Sequence, residues 1–296
     1  MKTKAMIASI LMTAAALAAS SPAFAADPFL DKELKGSYPG ATFKAVHEET
    51  SAGTKIQTYE VMEPNKPAEY ATATENGDVL AVASPRTPAE MPKAVAEVTT
   101  DLFGTPPSKI WQSTVTEYSV SVQTATNKTF VINVNAAGLI SNINTVPELA
   151  KGDLKLSGKP DATETADLGK LLESRFHGAK VTNIDKSMTS EGFFNVDFTY
   201  KGNAGWIVMN KEGRTRAWSV AIPTAEVPKP VLATVAQIKG AKVLSVSRYE
   251  YHFWEETMTV SGDTIVVRVR PDGSVIAIES QTEKAMSQAV GAKTGR

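Results

Sequence analysis

The chain of 296 residues contains no cysteine. That excludes disulfides, thiolate catalysis, Cys-based zinc sites and lipid attachment through sulfur. Histidine is scarce: His47, His177 and His252 lie far apart and never in His-x-x-x-His spacing, so imidazole catalysis or metal binding has little to draw on. Neither sign of charge is in surplus. Lys+Arg is 31 against 32 for Asp+Glu, a formal charge of -1, which gives no electrostatic basis for a nucleic-acid partner. There is no Gly-x-Ser-x-Gly elbow and no Gly-x-x-x-x-Gly-Lys-Ser/Thr loop. The acidic doublets Glu48-Glu49 and Glu255-Glu256 do not make two-carboxylate sites, because adjacent strand residues point to opposite faces; both read as solvated strand ends. Asp263 and Asp272 sit beside turn glycines and read as turn residues rather than calcium ligands. The expectation is a protein that is not an enzyme, with no cofactor and no metal.

Long apolar runs are missing too, apart from one at the N-terminus. Lys2 and Lys4 precede an apolar stretch from Ala5 to Ala19, and Ser21-Pro22-Ala23-Phe24-Ala25 follows with small residues at the A-x-A positions. This is the pattern of a secretory signal peptide over residues 1–26, too short for a membrane span and cut after Ala25 or Ala26. Removing residues 1–25 takes away two lysines and no acid, leaving a net charge of -3. With no lipobox cysteine and no later spanning stretch, the expected location is the periplasm or the medium. Hydrophobic content of 42% with 21% charged residues fits a folded chain rather than a disordered one.

What is present is a repeat. Tyr38-Pro39-Gly40-Ala41-Thr42-Phe43, Phe176-His177-Gly178-Ala179-Lys180-Val181 and Ile238-Lys239-Gly240-Ala241-Lys242-Val243 share one pattern, and Phe103-Gly104-Thr105-Pro106 is a looser copy. Helical stripes precede each glycine: Phe29, Leu30, Leu34; Met91, Val95, Val98, Leu102; Leu168, Leu171, Leu172, Phe176; and Val231, Val235, Ile238 behind Pro228 and Pro230. A glycine there ends a helix in the left-handed region without a Cβ penalty. Alternating apolar residues follow, broken by hairpin signals at Asn76-Gly77-Asp78, Ala137-Gly138, Lys201-Gly202-Asn203, Glu212-Gly213, Ser261-Gly262-Asp263 and Asp272-Gly273.

The expected fold class is therefore α+β: tandem units, each one helix packed on about four antiparallel strands. The boundaries fall at 27–85, 86–148, 160–224 and 226–282, with a linker at 149–159 and a tail at 283–296. A unit of about 60 residues buries little core alone, so neighbours are expected to support each other. Pro39-Gly40-Ala41, Gly178-Ala179-Lys180-Val181, Gly240-Ala241-Lys242-Val243 and Asp272-Gly273-Ser274-Val275 resemble the helix exit and closing strand of PepSY-like domains, including the beta-lactamase-inhibitor-like group. The second unit departs from the pattern, with Gly104-Thr105-Pro106-Pro107 at the exit and Ala137-Gly138 in place of Asp-Gly. The resemblance implies binding rather than catalysis. It points to an extracytoplasmic protein partner of the peptidase or hydrolase class, inhibited sterically, and it carries no catalytic residue to this chain.

The aromatic pattern suggests where binding would occur. Tyr249, Tyr251 and Phe253 share one strand face; Glu250, His252 and Trp254 share the other. Met258 and Val260 continue on even positions, so the apolar phase switches near Glu255-Glu256, which predicts a bulge. With Tyr251 and Phe253 toward the helix, His252 and Trp254 face out, beside Arg268 and Arg270 on the next strand. Such a surface has the composition of a contact hot spot. The reverse phase would place Trp254 in a core. In the third unit, Phe193 with Arg216 forms a similar candidate, while Trp111 and Tyr118 read as core. Two other classes remain open: a carrier or sensor holding a small apolar ligand between helix and sheet, and a structural envelope component.

Overall fold

The computed structural model describes residues 34–144, 158–186 and 192–280. The signal segment, most of the linker and the tail at 283–296 lie outside the described residues. The first unit contributes a helical turn α1 (Leu34–Ser37) and strands β1 (Thr42–Ser51), β2 (Thr54–Met62), β3 (Glu69–Thr74) and β4 (Val79–Pro85). Next come α2 (Lys93–Phe103), β5 (Lys109–Gln123), β6 (Thr129–Val134) and β7 (Ile140–Asn144). The second half has α3 (Ala162–Arg175), β8 (Lys180–Lys186), β9 (Phe193–Tyr200), β10 (Asn203–Asn210) and β11 (Thr215–Ala221). It closes with α4 (Lys229–Ala236), β12 (Lys242–Val260), β13 (Asp263–Val269) and β14 (Val275–Ser280).

The helix exits form as their glycines suggest: Gly40, Gly104, Gly178 and Gly240 all have positive φ. Helix α3 opens on a capping box, in which Asp161 accepts from the Glu164 amide and Glu164 accepts from the Asp161 amide. The stripe on α2 differs by one position from expectation. Val95 and Thr99 are buried and Phe103 is partly buried, while Leu102 is exposed.

The expected tandem array, with each helix on its own four strands, is not what forms. The strands join one antiparallel sheet of fourteen, in the order β1-β2-β3-β4-β5-β12-β11-β10-β9-β8. Strands β6 and β7 extend from β5, and β13 and β14 from β12. The chain divides into two compact units, one of residues up to Ala83 with Thr114–Tyr251, the other of Ser84–Ser113 with His252 onward. The division falls inside β5 and β12, which run for 15 and 19 residues.

In the first compact unit, α3 covers β8 to β11 through Leu168, Leu172 and Phe176 against Ile184, Val196, Phe198, Ile207 and Trp218. Helix α4 packs Val231 and Val235 on Tyr118, Val120 and Val122 of β5 and on Ile132 and Val134 of β6. Those strands belong to a different sequence repeat from α4. In the second compact unit, α2 packs Val95 on Trp254 and Met258 of β12 and on Val267 and Val269 of β13. Helices α2 and α4 thus each pack on strands outside the unit that the sequence pattern assigns them to. These packings are fixed by two close approaches. A Cβ on Gly138, in the turn after β6, would lie 2.9 Å from Thr234 Oγ1 and 3.0 Å from the Pro230 carbonyl of α4. A Cβ on Gly273, in the turn after β13, would lie 2.9 Å from the Ala94 carbonyl of α2. Thr234 further donates to the Gly138 carbonyl at 2.7 Å. Hydrophobic periodicity marks the buried faces of α3 and α4. It does not say which helix meets which strands, because both pairings offer the same apolar stripe.

Candidate protein-binding surface

Paired residues on neighbouring antiparallel strands share a face. In the first compact unit, Ile184, Val196, Ile207 and Trp218 pair in turn and face α3. The rows between them therefore face away from that helix. One such row runs Asn183, Asp197, Trp206, Ser219, Tyr249 across β8 to β12. The next runs Asp185, Asn195, Val208, Ala217, Tyr251. Strand β11 supplies only small side chains here, Ser219 and Ala217, and both are buried. Trp206 and Tyr249 stand on either side with ring centroids 6.1 Å apart, and Tyr249 stacks on Tyr251 at 5.6 Å. All three rings are half-buried. The arrangement is a shallow aromatic trough across this face of the sheet, its rings packed on one another over the small residues Ser219 and Ala217.

Its β8 end is polar. Asn183 donates to Asp185 at 2.5 Å and to Asp197 at 3.4 Å, Asn195 donates to Asp197 at 3.2 Å, and Lys159 pairs with Asp185 at 2.7 Å. The trough therefore runs from carboxylates and amides to phenols. Rigid aromatic rings offer contact area at small entropic cost, and the Asp197 carboxylate at one end favours a partner carrying positive charge.

The six residues singled out from sequence do not form this surface. Trp254 is 4% exposed and sits in the α2 core; His252, 9% exposed, occupies an even position of β12 like Trp254. Trp254 pairs with Val269 whereas Glu255 pairs with Arg268, so Trp254 and Arg268 lie on opposite faces. Arg268 is engaged with Glu255 and Glu279, at 2.9 Å each. Arg270 closes the β13–β14 turn, donating to Ser274 Oγ at 3.3 Å. Phe193 is 5% exposed. Arg216, 7% exposed, falls where the β10–β11 register skips a residue. The β12–β13 ladder runs without a register shift from Trp254 to Val260, so it carries no bulge at Glu255-Glu256.

The cause of the misreading is chemical. From Val246 onward the helix-facing set on β12 is even-numbered: Val246, Trp254 and Met258 are in the cores, but Arg248, Glu250 and Glu256 interrupt them. Polar residues on the inner face concealed its phase. Tyr249 and Tyr251, on the strand face that the sequence pattern turns toward the helix, lie on the outer face.

No protein-family model matches the chain, and no curated protein matches it. Part of the chain is similar to solved structures. One is a DUF2874 family protein from Bacteroides uniformis, 15% identical over 39% of this chain and 88% of that one, with a TM-score of 0.23. A second, described as periplasmic, is from Bacteroides eggerthii: 12% identity, 43% and 92% coverage, TM-score 0.22. A third is the YpeB C-terminal domain of Bacillus megaterium: 12% identity, 63% and 90% coverage, TM-score 0.17. Similarity this low assigns neither a family nor a function.

Two further acids are buried, and neither was expected to be. Glu256 is fully buried on the α2 side of β12, with neither carboxyl oxygen in a hydrogen bond. Burial pushes its carboxyl above the usual range, opposed by the Thr99 hydroxyl nearby. Glu117 on β5 is pushed up to about 7 by burial, with the Ser141 hydroxyl acting in the opposite sense. Glu255, also buried, pairs with Arg268, so the Glu255-Glu256 doublet is no solvated strand end. Among the described residues no group of three or more His, Asp and Glu could hold a metal ion. Asp272 accepts from the Ser274 amide and hydroxyl, a turn role. His177 meets Glu173 at 2.8 Å on the exposed end of α3. No helix among the described residues is long and apolar enough to cross a membrane.

Proposed function

We propose that the chain is an exported, non-catalytic binding protein that engages a peptidase or other hydrolase outside the cytoplasm and obstructs it sterically. The observation that carries this reading is the partly exposed Trp206–Tyr249–Tyr251 row packed over the small residues Ser219 and Ala217. Tyrosine and tryptophan bury much area for few frozen torsions, which is why they dominate protein contact sites. The Asp197 carboxylate at the β8 end orients a cationic segment of the partner along the trough. Export rests on the signal pattern of residues 1–26, and the PepSY-like resemblance of the helix exits supports a hydrolase as the target.

The test uses the mature chain immobilised beside a Trp206→Ala/Tyr251→Ala variant, exposed to envelope and culture-fluid extracts of the producing cell. The expected result is a hydrolase retained by the native chain, lost by the variant, and slowed by the native chain in its own assay. A hydrolase retained equally by both removes the trough from the binding role. Retention of none overturns the reading.

A further inference from the structure

Helix α2 is fastened differently from the strands beneath it. Its buried residues are Val95 and Thr99, and it lies on Trp254 and Met258 of β12 and on Val267 and Val269 of β13. Apart from Thr99 against Glu256, the polar bonds of its side chains are internal. Thr99 and Thr100 donate to the Val95 and Ala96 carbonyls at 3.2 and 2.8 Å, and Lys93 pairs with Glu97 at 3.3 Å. The segment is anchored at its ends, where the Arg86 amide donates to the Ile110 carbonyl at 2.9 Å and the Ser108 amide to the Thr257 carbonyl at 2.7 Å. Pro88, Pro92, Pro106 and Pro107 lie between the anchors and the body of the helix. Strand β12, in contrast, is paired to β13 on one edge and to β5 on the other.

Under this segment lies Glu256 of β12, fully buried and directly opposite Val267. The hydroxyl that could favour its ionised form is Thr99, whose single proton goes to the Val95 carbonyl. What that oxygen has left is lone pairs, which accept from a carboxylic acid and repel a carboxylate. Among the described residues no cation faces Glu256. Glu90 before α2, Lys93, Glu97 and Asp101 on it, and Lys109 on β5 are exposed. On β13, Arg268 pairs with Glu255 on the opposite face, and Asp263 stands at the far end, opposite Val260. Glu279 of β14 is drawn to the same Arg268. On β12 itself, His252 shares the face one residue pair beyond Trp254.

We propose that α2 is a strap held shut by one proton: with Glu256 protonated it lies on β12 and β13, and ionisation of Glu256 releases residues 87–107 as one piece while the strands stay paired. A carboxylate sealed under α2 between Trp254 and Met258 has lost its water and gained no partner. Of the elements that enclose it, α2 is the one that can leave without breaking a strand ladder, and its departure returns the charge to water. The open form bares Trp254, Met258 and Val267, an apolar strand face that is covered again as the pH falls. Burial holds the carboxyl of the closed form above its ordinary value of 4.5, so the bias toward opening starts at that value and grows as the pH rises.

Hydrogen exchange of the mature chain, read by mass spectrometry from about pH 4 to about pH 8, tests the strap. One proton linked to closure sets the slope. Above 4.5 the protection of the α2 amides, corrected for the pH dependence of the chemical step, should fall about tenfold per pH unit until the folded pKa is passed. The amides of α3, in the other compact unit, should keep their protection over the same range. Glu256→Gln keeps the shape and cannot ionise, so its α2 should show no such slope. Should that variant fail to fold, α2 against α3 in the native chain still decides. Protection of α2 that is flat with pH in the native chain, that falls equally in Glu256→Gln, or that falls only together with α3, overturns the proposal.

Discussion

Helices α4 and α2 cover two cores in which a set of positions corresponds and one pair differs in chemistry. Counting back from the turn glycines, Val134 precedes Gly138 as Val269 precedes Gly273. Tyr118 then corresponds to Trp254, Val122 to Met258, and Val231 of α4 to Val95 of α2, all buried. Between them the first core has Val120 and Val235; the second has Glu256 and Thr99. A pair of valines is thus replaced by a carboxyl and a hydroxyl with no water access. An apolar core tolerates such a replacement only if the carboxyl stays protonated, because an isolated buried carboxylate costs many kcal/mol. One core is indifferent to pH and its counterpart is not.

The largest expected effect tests whether the cores are mechanically alike. Trp254→Ala and Tyr118→Ala should each destabilise the folded chain by about 3–5 kcal/mol, read by urea unfolding. A Trp254→Ala variant of native stability would mean that α2 does not depend on that contact. Gly138→Ala and Gly273→Ala come next, each costing more than about 1 kcal/mol. Both glycines have φ near +90°, at +89° and +88°, and each meets helix backbone where a Cβ would stand. Tolerance at only one of them would break the correspondence.

The polar pair is the sharper test. A carboxyl whose folded pKa is raised binds its proton more tightly when folded. Its stabilising contribution is therefore complete below the ordinary value of 4.5 and is lost as pH rises from there through the folded value. The Glu256→Val/Thr99→Val variant should be more stable than the native chain at neutral pH, by about 1–3 kcal/mol, and should lose part of the decline in stability above about pH 4.5. Glu117 adds a decline of the same sign between 4.5 and about 7, which Glu117→Gln removes separately. If the valine pair leaves the pH dependence of unfolding untouched, Glu256 is not the difference between the cores. The smallest change in stability is expected at the trough. Trp206→Ala should cost less than Trp254→Ala, because its ring is partly exposed.

Local structure was legible in the sequence where one residue dictates it. The helix-ending glycines, the Lys201-Gly202 and Ser261-Gly262 turns, and the buried faces of α3 and α4 follow from backbone conformation and periodicity. The sheet was not legible, since a repeated apolar stripe does not distinguish its own strands from those of a sister repeat. Nor was the trough. Arg248, Glu250 and Glu256 on the inner face of β12 made the tyrosines look like the core, and only the cross-strand register shows Tyr249 and Tyr251 beside Ser219 and Ala217. The length of β12 was equally hidden, because no turn signal marks a strand that simply continues.

The packing of α2 on β12 and β13 also sets the order in which the molecule can be made. Ser108 bonds the Thr257 carbonyl across 149 residues of chain, and Val95 waits for Val267 and Val269. The helix α2 leaves the ribosome long before the strands that receive it, so its core closes only after the turn at Gly273 has been delivered. Contacts this distant in sequence slow folding. Two separately expressed halves would each carry a helix matched to strands it does not possess.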